Sequence, residues 1–474
     1  MPMNLLDFGR LQRMFETEVP AGKVKIFLFS KDQKEYVLHS SSDELKSFLL
    51  SSSPMGTIGE CFVHDKNILC CIGDASKEAH VRRTNVGKSM KSLFQTLKKF
   101  NNHEIVFEDC EFVEDAVYYL VLASYSYNFL KKPENEYKFL LNVPAYEKSI
   151  KIAHAQNIAR FLGDTPGNLM TPSMFVEYAK KILENEKVEI HELGKEFMEQ
   201  KGMNLILSVS QGSVQDPKLL RIVYKGKSAE GIDVSVVGKG VCFDSGGISL
   251  KPSAEMFAMK YDMMGAATLL CSIKLAAVLK LELNLVGIFP LVENLPSGSA
   301  TKPGDVFKSM SGKTVEVDNT DAEGRLILAD GLTYAQQDSP KYLLNAATLT
   351  GAMCIALGSV YSGFFTHNQK LSDMICESGN KTNDLMWRMP LSSYYREALV
   401  SQVADINNMG GRDGSSCKAA EFLNEFVDTD KVIWAHFDIA GSMHKSLTPE
   451  IFGKGATGRP VPVFLDLFEK ISKI

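Results

Sequence analysis

Between residues 205 and 439 short apolar runs recur, and helical patterns separate most of them. The runs are Leu205–Val209, Leu220–Tyr224, Val234–Val237, Leu285–Phe289, Tyr342–Asn345 and Val432–Ile439. Ala266–Leu279 and Leu326–Ala335 carry helical spacing between them. Strands so evenly apolar are expected to be buried on both faces, as in a mixed, mostly parallel sheet covered by helices. The fold class read from this pattern is α/β. In such a sheet the reactive groups gather at the carboxyl ends of the strands.

The chain before that region also alternates. Lys25–Phe29 and Ile68–Ile72 read as buried strands, and Val117 to Leu130 as a buried helix. Glu147 to Leu162 reads as a helix that Gly163 and Pro166 end. Thr171 and Pro172 open a further helix with Phe175, Tyr178, Ala179, Ile182 and Leu183 on one face. Charged residues on either side of Pro133 suggest a surface crossing. The expected organisation is an N-terminal α/β domain over 1–140, a linker helix over 141–165 and a larger α/β domain over 166–474.

Composition narrows the setting. The 474 residues carry 52 basic and 57 acidic side chains, a net charge of −5, which argues against a general nucleic-acid binder. Nine cysteines lie scattered without a C-x-x-C pair, so neither a disulfide framework nor a thiolate zinc site is expected, and a reducing compartment fits. The opening stretch MPMNLLDFGRLQRMF lacks the basic-then-apolar order of a secretory signal. No run reaches the roughly 18 uninterrupted apolar residues of a membrane span. The expectation is a cytoplasmic protein with no membrane partner.

Three segments place unusual residues at the predicted strand ends. In Val236 to Lys251, Lys239 sits between two glycines, Asp244 precedes Ser245-Gly246-Gly247, and Lys251 closes the run. The order is not that of a phosphate-binding loop, and taken alone it reads as a glycine turn with two surface lysines. In Met259 to Leu270, Asp262 stands before an apolar helix, where a helix N-cap is as good a reading as a functional one. In Val317 to Leu332, Thr320 and Glu323 fit a capping box, but Asp321 and Arg325 are left without a purpose. Should the segments converge, Asp244, Asp262, Asp321 and Glu323 share one pocket. Four carboxylates that close cannot all stay ionised without cations. Two divalent metals resolve the conflict, and an oxygen-rich set suits Mn, Mg or Zn better than copper. There is no H-E-x-x-H motif, and no histidine falls in these segments.

The same segments resemble the leucyl aminopeptidase family of dinuclear-metal exopeptidases. The string Asn319-Thr320-Asp321-Ala322-Glu323-Gly324-Arg325-Leu326 matches that family's signature. Val237-Gly238-Lys239-Gly240, Phe243-Asp244-Ser245-Gly246-Gly247, Lys302-Pro303-Gly304-Asp305, Thr348-Leu349-Thr350-Gly351 and Asp438-Ile439-Ala440-Gly441 agree with it too. The resemblance runs from about residue 150 to 465, and the length of 1–140 fits the family's variable N-terminal domain.

By this resemblance Lys239, Asp244, Asp262 and Glu323 hold a tightly bound metal, and Asp244, Asp321 and Glu323 a second, exchangeable one. The implied ions are zinc, with manganese, magnesium or cobalt at the exchangeable site. Lys251 and Arg325 are implied as the catalytic pair, Lys251 stabilising the oxyanion and Arg325 holding a bicarbonate that serves as general base. The implied reaction is removal of leucine-like, apolar N-terminal residues from peptides and dipeptides by a metal-activated water. The pocket for the first side chain is implied to involve Met259, Thr348, Gly351, Ala440 and Met443, although plain core packing also explains the methionines. The family assembles as a homohexamer, a dimer of trimers.

Departures stand around Asp262. Lys260 and Tyr261 replace the common Arg-Ala before it, and Met264 brings a long side chain where the family often has none. They are expected to crowd Asp262, narrowing the substrate range or altering metal affinity. Two other functions compete: a two-metal hydrolase of phosphate esters, and a non-catalytic or nucleic-acid-binding assembly protein on the same scaffold. The lysine in its Gly-Lys-Gly turn weighs against the first, and the intact metal and catalytic positions against the second. His444 reads as a solvated loop residue and Cys417 as structural.

Overall fold

The computed structural model describes residues 22–32, 35–39, 42–100, 103–131, 139–141, 144–444 and 448–474. The opening stretch before residue 22 and the surface crossing at Pro133 lie outside the described residues. The chain divides into two compact units, 1–158 with 448–454, and 159–447 with 455–474. No motif in the sequence signals the return of 448–454 to the first unit.

The first unit is built on a six-stranded sheet: β1 (Gly22–Asp32), β2 (Glu35–Leu38), β3 (Cys61–His64), β4 (Asn67–Asp74), β5 (His103–Phe107) and β6 (Phe139–Leu141). Its order is β3-β4-β1-β5-β6, with β2 pairing β1. Strand alternation sends Ile68, Cys70 and Ile72 into one core beneath the helices Ala79–Leu97 and Val113–Ser124, and Leu69 and Cys71 into a second core on the other face. The second helix stops at Ser124, short of the expected Leu130, and Tyr125 is already extended.

The second unit carries a nine-stranded sheet. Its first five strands are β7 (Val188–Leu193), β8 (Lys218–Lys225), β9 (Val234–Gly238), β10 (Gly240–Asp244) and β11 (Asn284–Asn294). A separate three-stranded sheet holds β12 (Asp305–Lys308), β13 (Thr314–Val317) and β17 (Ile406–Asn407). The remaining large-sheet strands are β14 (Tyr342–Ala347), β15 (Ser362–Phe365), β16 (Met386–Arg388) and β18 (Ile433–Asp438). The order is β16-β15-β18-β14-β9-β11-β8-β7. The central pairings β18–β14, β14–β9 and β9–β11 are parallel, and β15 and β8 run antiparallel to their inner neighbours. Every residue of β9, β11 and β14 is buried, which is why their sequences show no alternation.

One expected strand is a helix. Leu205–Val209 lies within the helix Asn204–Ser210. An apolar run that short has no period of its own to decide between the two. A distant group decides it: Asp330 Oδ2 accepts from the N–H groups of Leu205 and Ile206 at 2.9 and 3.1 Å, satisfying donors that a first helical turn leaves open. The segment Met256–Val278 is long and apolar enough to cross a membrane by composition, yet most of it is buried against the sheet, as for a core helix.

Candidate metal centre

Strand β11 is long enough to pair with β9 along its first half and β10 along its second. Lys239 is the single residue between β9 and β10. Its N–H donates to Ala346 O and its carbonyl accepts from Ala266 N, which fixes the backbone where β9 ends. The carboxyl ends of β9, β10, β14 and β18 thus lead into Lys239, the Ser245–Lys251 loop, Thr348–Thr350 and Ile439–Gly441. These are the segments that carry the sequence motifs.

The three acidic segments converge. Carboxylate oxygens of Asp244, Asp262 and Glu323 lie within 4.8 Å of one another, and all three residues are buried. Lys239 Nζ sits 2.7 Å from Asp262 Oδ2 and 2.8 Å from Glu323 Oε1. Lys251 Nζ sits 2.8 Å from Asp244 Oδ2 and 2.5 Å from Asp321 Oδ1, bringing the fourth carboxylate to the cluster. The Lys251 and Asp321 side chains are 21 % and 33 % exposed, so the cluster opens to solvent on their side.

Neighbours hold these groups in place. Asn294 Nδ2 donates to Asp244 Oδ1 at 2.8 Å and to Thr320 O at 3.0 Å. Thr348 Oγ1 donates to Asp262 Oδ1 at 2.7 Å, and Thr348 O accepts from Lys239 Nζ at 3.1 Å. The helix Glu323–Ala335 begins at Glu323 itself, with Gly324 against Lys239: a Cβ there would lie 2.5 Å from Lys239 Cε. The capping box is not formed. Thr320 Oγ1 donates to Gly246 O and accepts from Ser249 N, tying the Asp321 loop to the Asp244 loop instead. Asp262 is not an N-cap either; it lies within a 3₁₀ segment, Met256–Met263, and faces Lys239.

Electrostatics follow from burial. Desolvation and Glu323 push the Asp244 carboxyl up to about 6, against Lys251 and Lys239. Burial raises Asp262 well above the usual carboxylate range despite Lys239. Burial works against the Lys239 ammonium, but Asp262, Glu323 and Asp244 outweigh it and hold its pKa above the ordinary lysine value. Four carboxylates therefore share two ammonium groups.

This donor set fits divalent cations. Asp262 Oδ2, Asp321 Oδ1 and Glu323 Oε1 are buried without a well-directed hydrogen bond among the described residues; each meets only a lysine in an ion pair. Such oxygens are costly to bury and are what a cation would satisfy.

Comparison with known proteins agrees. Residues 157–465 match the catalytic domain of the cytosol aminopeptidase family. The cytosol aminopeptidase of Encephalitozoon cuniculi is 46 % identical over 485 residues, covering 100 % of both chains. The chain belongs to the cytosol aminopeptidase family. It is a metal-dependent aminopeptidase, a hydrolase of the leucyl aminopeptidase kind. The human cytosol aminopeptidase is 41 % identical over 84 % of this chain and 79 % of its own. Among solved structures, the bottromycin maturation enzyme BotP in complex with Mn superposes with a TM-score of 0.83 at 26 % identity, covering 95 % of this chain and 99 % of that one.

The remaining expected residues are placed less uniformly. Arg325 is buried on the first turn of its helix; Nη1 donates to Asn408 O at 2.6 Å, and Nε has no partner among the described residues. Burial lowers its pKa to about 10, with Glu323 and Asp438 opposing. Of the five residues expected to line the pocket, Thr348 bonds a carboxylate of the cluster. Met259 is half-buried on the 3₁₀ segment, Gly351 is exposed at a helix start, Ala440 is half-buried and Met443 buried. Asp438, to which the sequence reading gave no role, joins these loops: Oδ1 accepts from Leu349 N and Ala440 N at 3.2 Å each, and Oδ2 from Thr350 Oγ1 at 2.6 Å. His444 is not a freely solvated loop residue, since its ring stacks on Tyr261 at 5.1 Å. Cys417 packs with Met353, Phe365 and Ala420.

Proposed function

We propose that this aminopeptidase removes leucine-like, apolar N-terminal residues from peptides and dipeptides, using two divalent ions held by Lys239, Asp244, Asp262, Asp321 and Glu323. The observation that carries the reading is the buried meeting of Asp244, Asp262 and Glu323 within 4.8 Å, with Asp321 joined through Lys251. Lys239, Asp244, Asp262 and Glu323 would hold the tighter ion, zinc. Asp244, Asp321 and Glu323 would hold the exchangeable one, for which zinc, manganese, magnesium or cobalt is suitable. When bound, two such ions supply Lewis acidity and a water of lowered pKa.

The chain's own groups supply the rest. Lys251, cationic and partly exposed at the open side, neutralises the oxyanion as the scissile carbonyl becomes tetrahedral. Arg325 would hold a bicarbonate ion that would supply the general base; its buried Nε, without a hydrogen-bond partner among the described residues, is a donor suited to an anion. Thr348, Gly351, Ala440, Met259 and Met443 form the pocket for the first side chain, the methionines adapting to a medium apolar group. The cytosolic names of the relatives support a cytoplasmic location, and the family resemblance supports a homohexamer, a dimer of trimers.

The test strips metal with a chelator, restores zinc, manganese, cobalt or magnesium, and assays a panel of aminoacyl amides and dipeptides beside a phosphate ester. Leucine amide should be hydrolysed only after metal returns, and Asp321→Ala should be nearly inactive. Hydrolysis of the ester alone, or of neither, overturns the reading.

A further inference from the structure

Asp262 lies in an eight-residue 3₁₀ segment, Met256–Met263. Runs of that type beyond three or four residues are uncommon because their hydrogen bonds are poorly aligned. The segment therefore needs support from outside itself to hold one side chain in a fixed place. Three side chains around Asp262 supply it, and all three reach the same point, the C-terminal turn of the helix Glu147–Asp164.

Lys260 Nζ donates to the backbone carbonyl of Asp164 at 2.7 Å, satisfying one of the carbonyls a helix end leaves open. Tyr261 Oη donates to Asp164 Oδ1 at 3.1 Å. Asp164 is in turn fixed by the backbone, since the same Oδ1 accepts from Ala456 N at 2.9 Å. Met264 is fully buried, and its sulfur occupies the space over Gly163: a Cβ on that glycine would stand 2.4 Å from Met264 Sδ. Residues two before, one before and two after Asp262 are thus fastened to one helix end, while Thr348 and Lys239 fix its two oxygens.

We infer that Lys260, Tyr261 and Met264 form a clamp on Gly163–Asp164 that positions Asp262 for one metal of the pair. This rests on the proposed ligand set. The clamp makes them positioning residues, since none of them need touch metal or substrate. Groups that orient a ligand from behind typically change metal affinity by about 10–100-fold when removed. The effect should fall on the ion that Asp262 holds and spare the one held by Asp244, Asp321 and Glu323.

The test uses the full-length protein, stripped and then titrated with Co²⁺ alone, reading the visible absorption of each bound equivalent against a competing chelator. Tyr261→Phe and Lys260→Met each delete one anchor with little change of volume. Each should weaken one Co²⁺ equivalent about tenfold, leave the other within about twofold, and alter the spectrum of the weakened site alone. Lys260→Arg, which can still reach the carbonyl, should restore wild-type binding. Thermal unfolding of the metal-free variants checks that they fold. Folded variants that bind both equivalents like the wild type overturn the clamp, as does equal weakening of both. A wild-type protein that takes up no second equivalent overturns the two-metal reading instead.

Discussion

Lys239 Nζ lies 2.7 Å from Asp262 Oδ2, with both side chains almost wholly removed from solvent. The same ammonium reaches Glu323, so one cation stands between two buried carboxylates. Removing one partner of a buried ion pair costs roughly 3–5 kcal/mol, because the other charge is left stranded. Lys239→Met should lose about that much stability in urea unfolding of the metal-free protein. It should also be nearly inactive on leucine amide. A metal-free variant as stable as the wild type would show that the carboxylates had taken up protons instead.

Lys251 is the cationic group at the open side of the cluster. Loss of one group that stabilises a developing oxyanion lowers turnover by roughly 10²–10³. Lys251→Ala should lower kcat for leucine amide by about that factor, with KM changed far less. Metal analysis of the purified variant separates this outcome from simple metal loss.

Asn294 holds Asp244 and the Thr320 carbonyl with one amide group. Asn294→Ala frees both. Metal affinity, measured by chelator competition, should fall about 10–100-fold while the fold is retained. Affinity within twofold of wild type would assign Asn294 to loop packing only.

Gly324 lets the helix Glu323–Ala335 start directly against the Lys239 side chain. A methyl group there would sit 2.5 Å from Cε and 2.7 Å from Nζ of the buried Lys239 side chain, which would have to shift. Gly324→Ala should destabilise by about 1–3 kcal/mol, the usual cost of overpacking. Metal uptake should weaken as well, because Lys239 must leave Asp262 and Glu323. An unchanged melting temperature would contradict the packing.

Burial lowers the His436 pKa to about 3, and the charge of Arg325 adds to the effect. An unfolded histidine titrates near 6.5. Below that pH the unfolded chain takes up a proton that the folded chain refuses, so this contribution to stability is complete above about 6.5 and shrinks as pH falls toward 3. Urea unfolding at pH 8, 6, 5 and 4 should show a shallower decline for His436→Phe than for the wild type. Parallel curves would mean that His436 is protonated in the folded state.

Much of this fold and site is legible in the sequence. The wholly apolar runs at Val234, Leu285 and Tyr342 could be read as parallel strands because burial on both faces removes alternation. The family could be named because the octamer Asn319–Leu326 packs several reactive residue types into one turn and helix start. Local readings failed where a residue's partner is far away in the chain. Leu205–Val209 is helical because Asp330, more than a hundred positions on, caps it. Thr320 has the spacing of a capping residue, yet its hydroxyl bonds Gly246 and Ser249 across two loops. Asp438 gave no signal beyond its motif, because its work is to join loops that only the sheet brings side by side.

The sequence by itself determined the alternation of strands and helices, the excess of carboxylates at the strand ends, and the family. Those depend on residue type and spacing, which a chain carries whether or not it is folded. Only the tertiary structure decided which charges meet. It paired Lys239 with Asp262 and Glu323, and Lys251 with Asp244 and Asp321. It also turned Met264, expected to crowd Asp262, onto Gly163. Contact and desolvation act through distances in space, and a linear order of residues does not hold those distances.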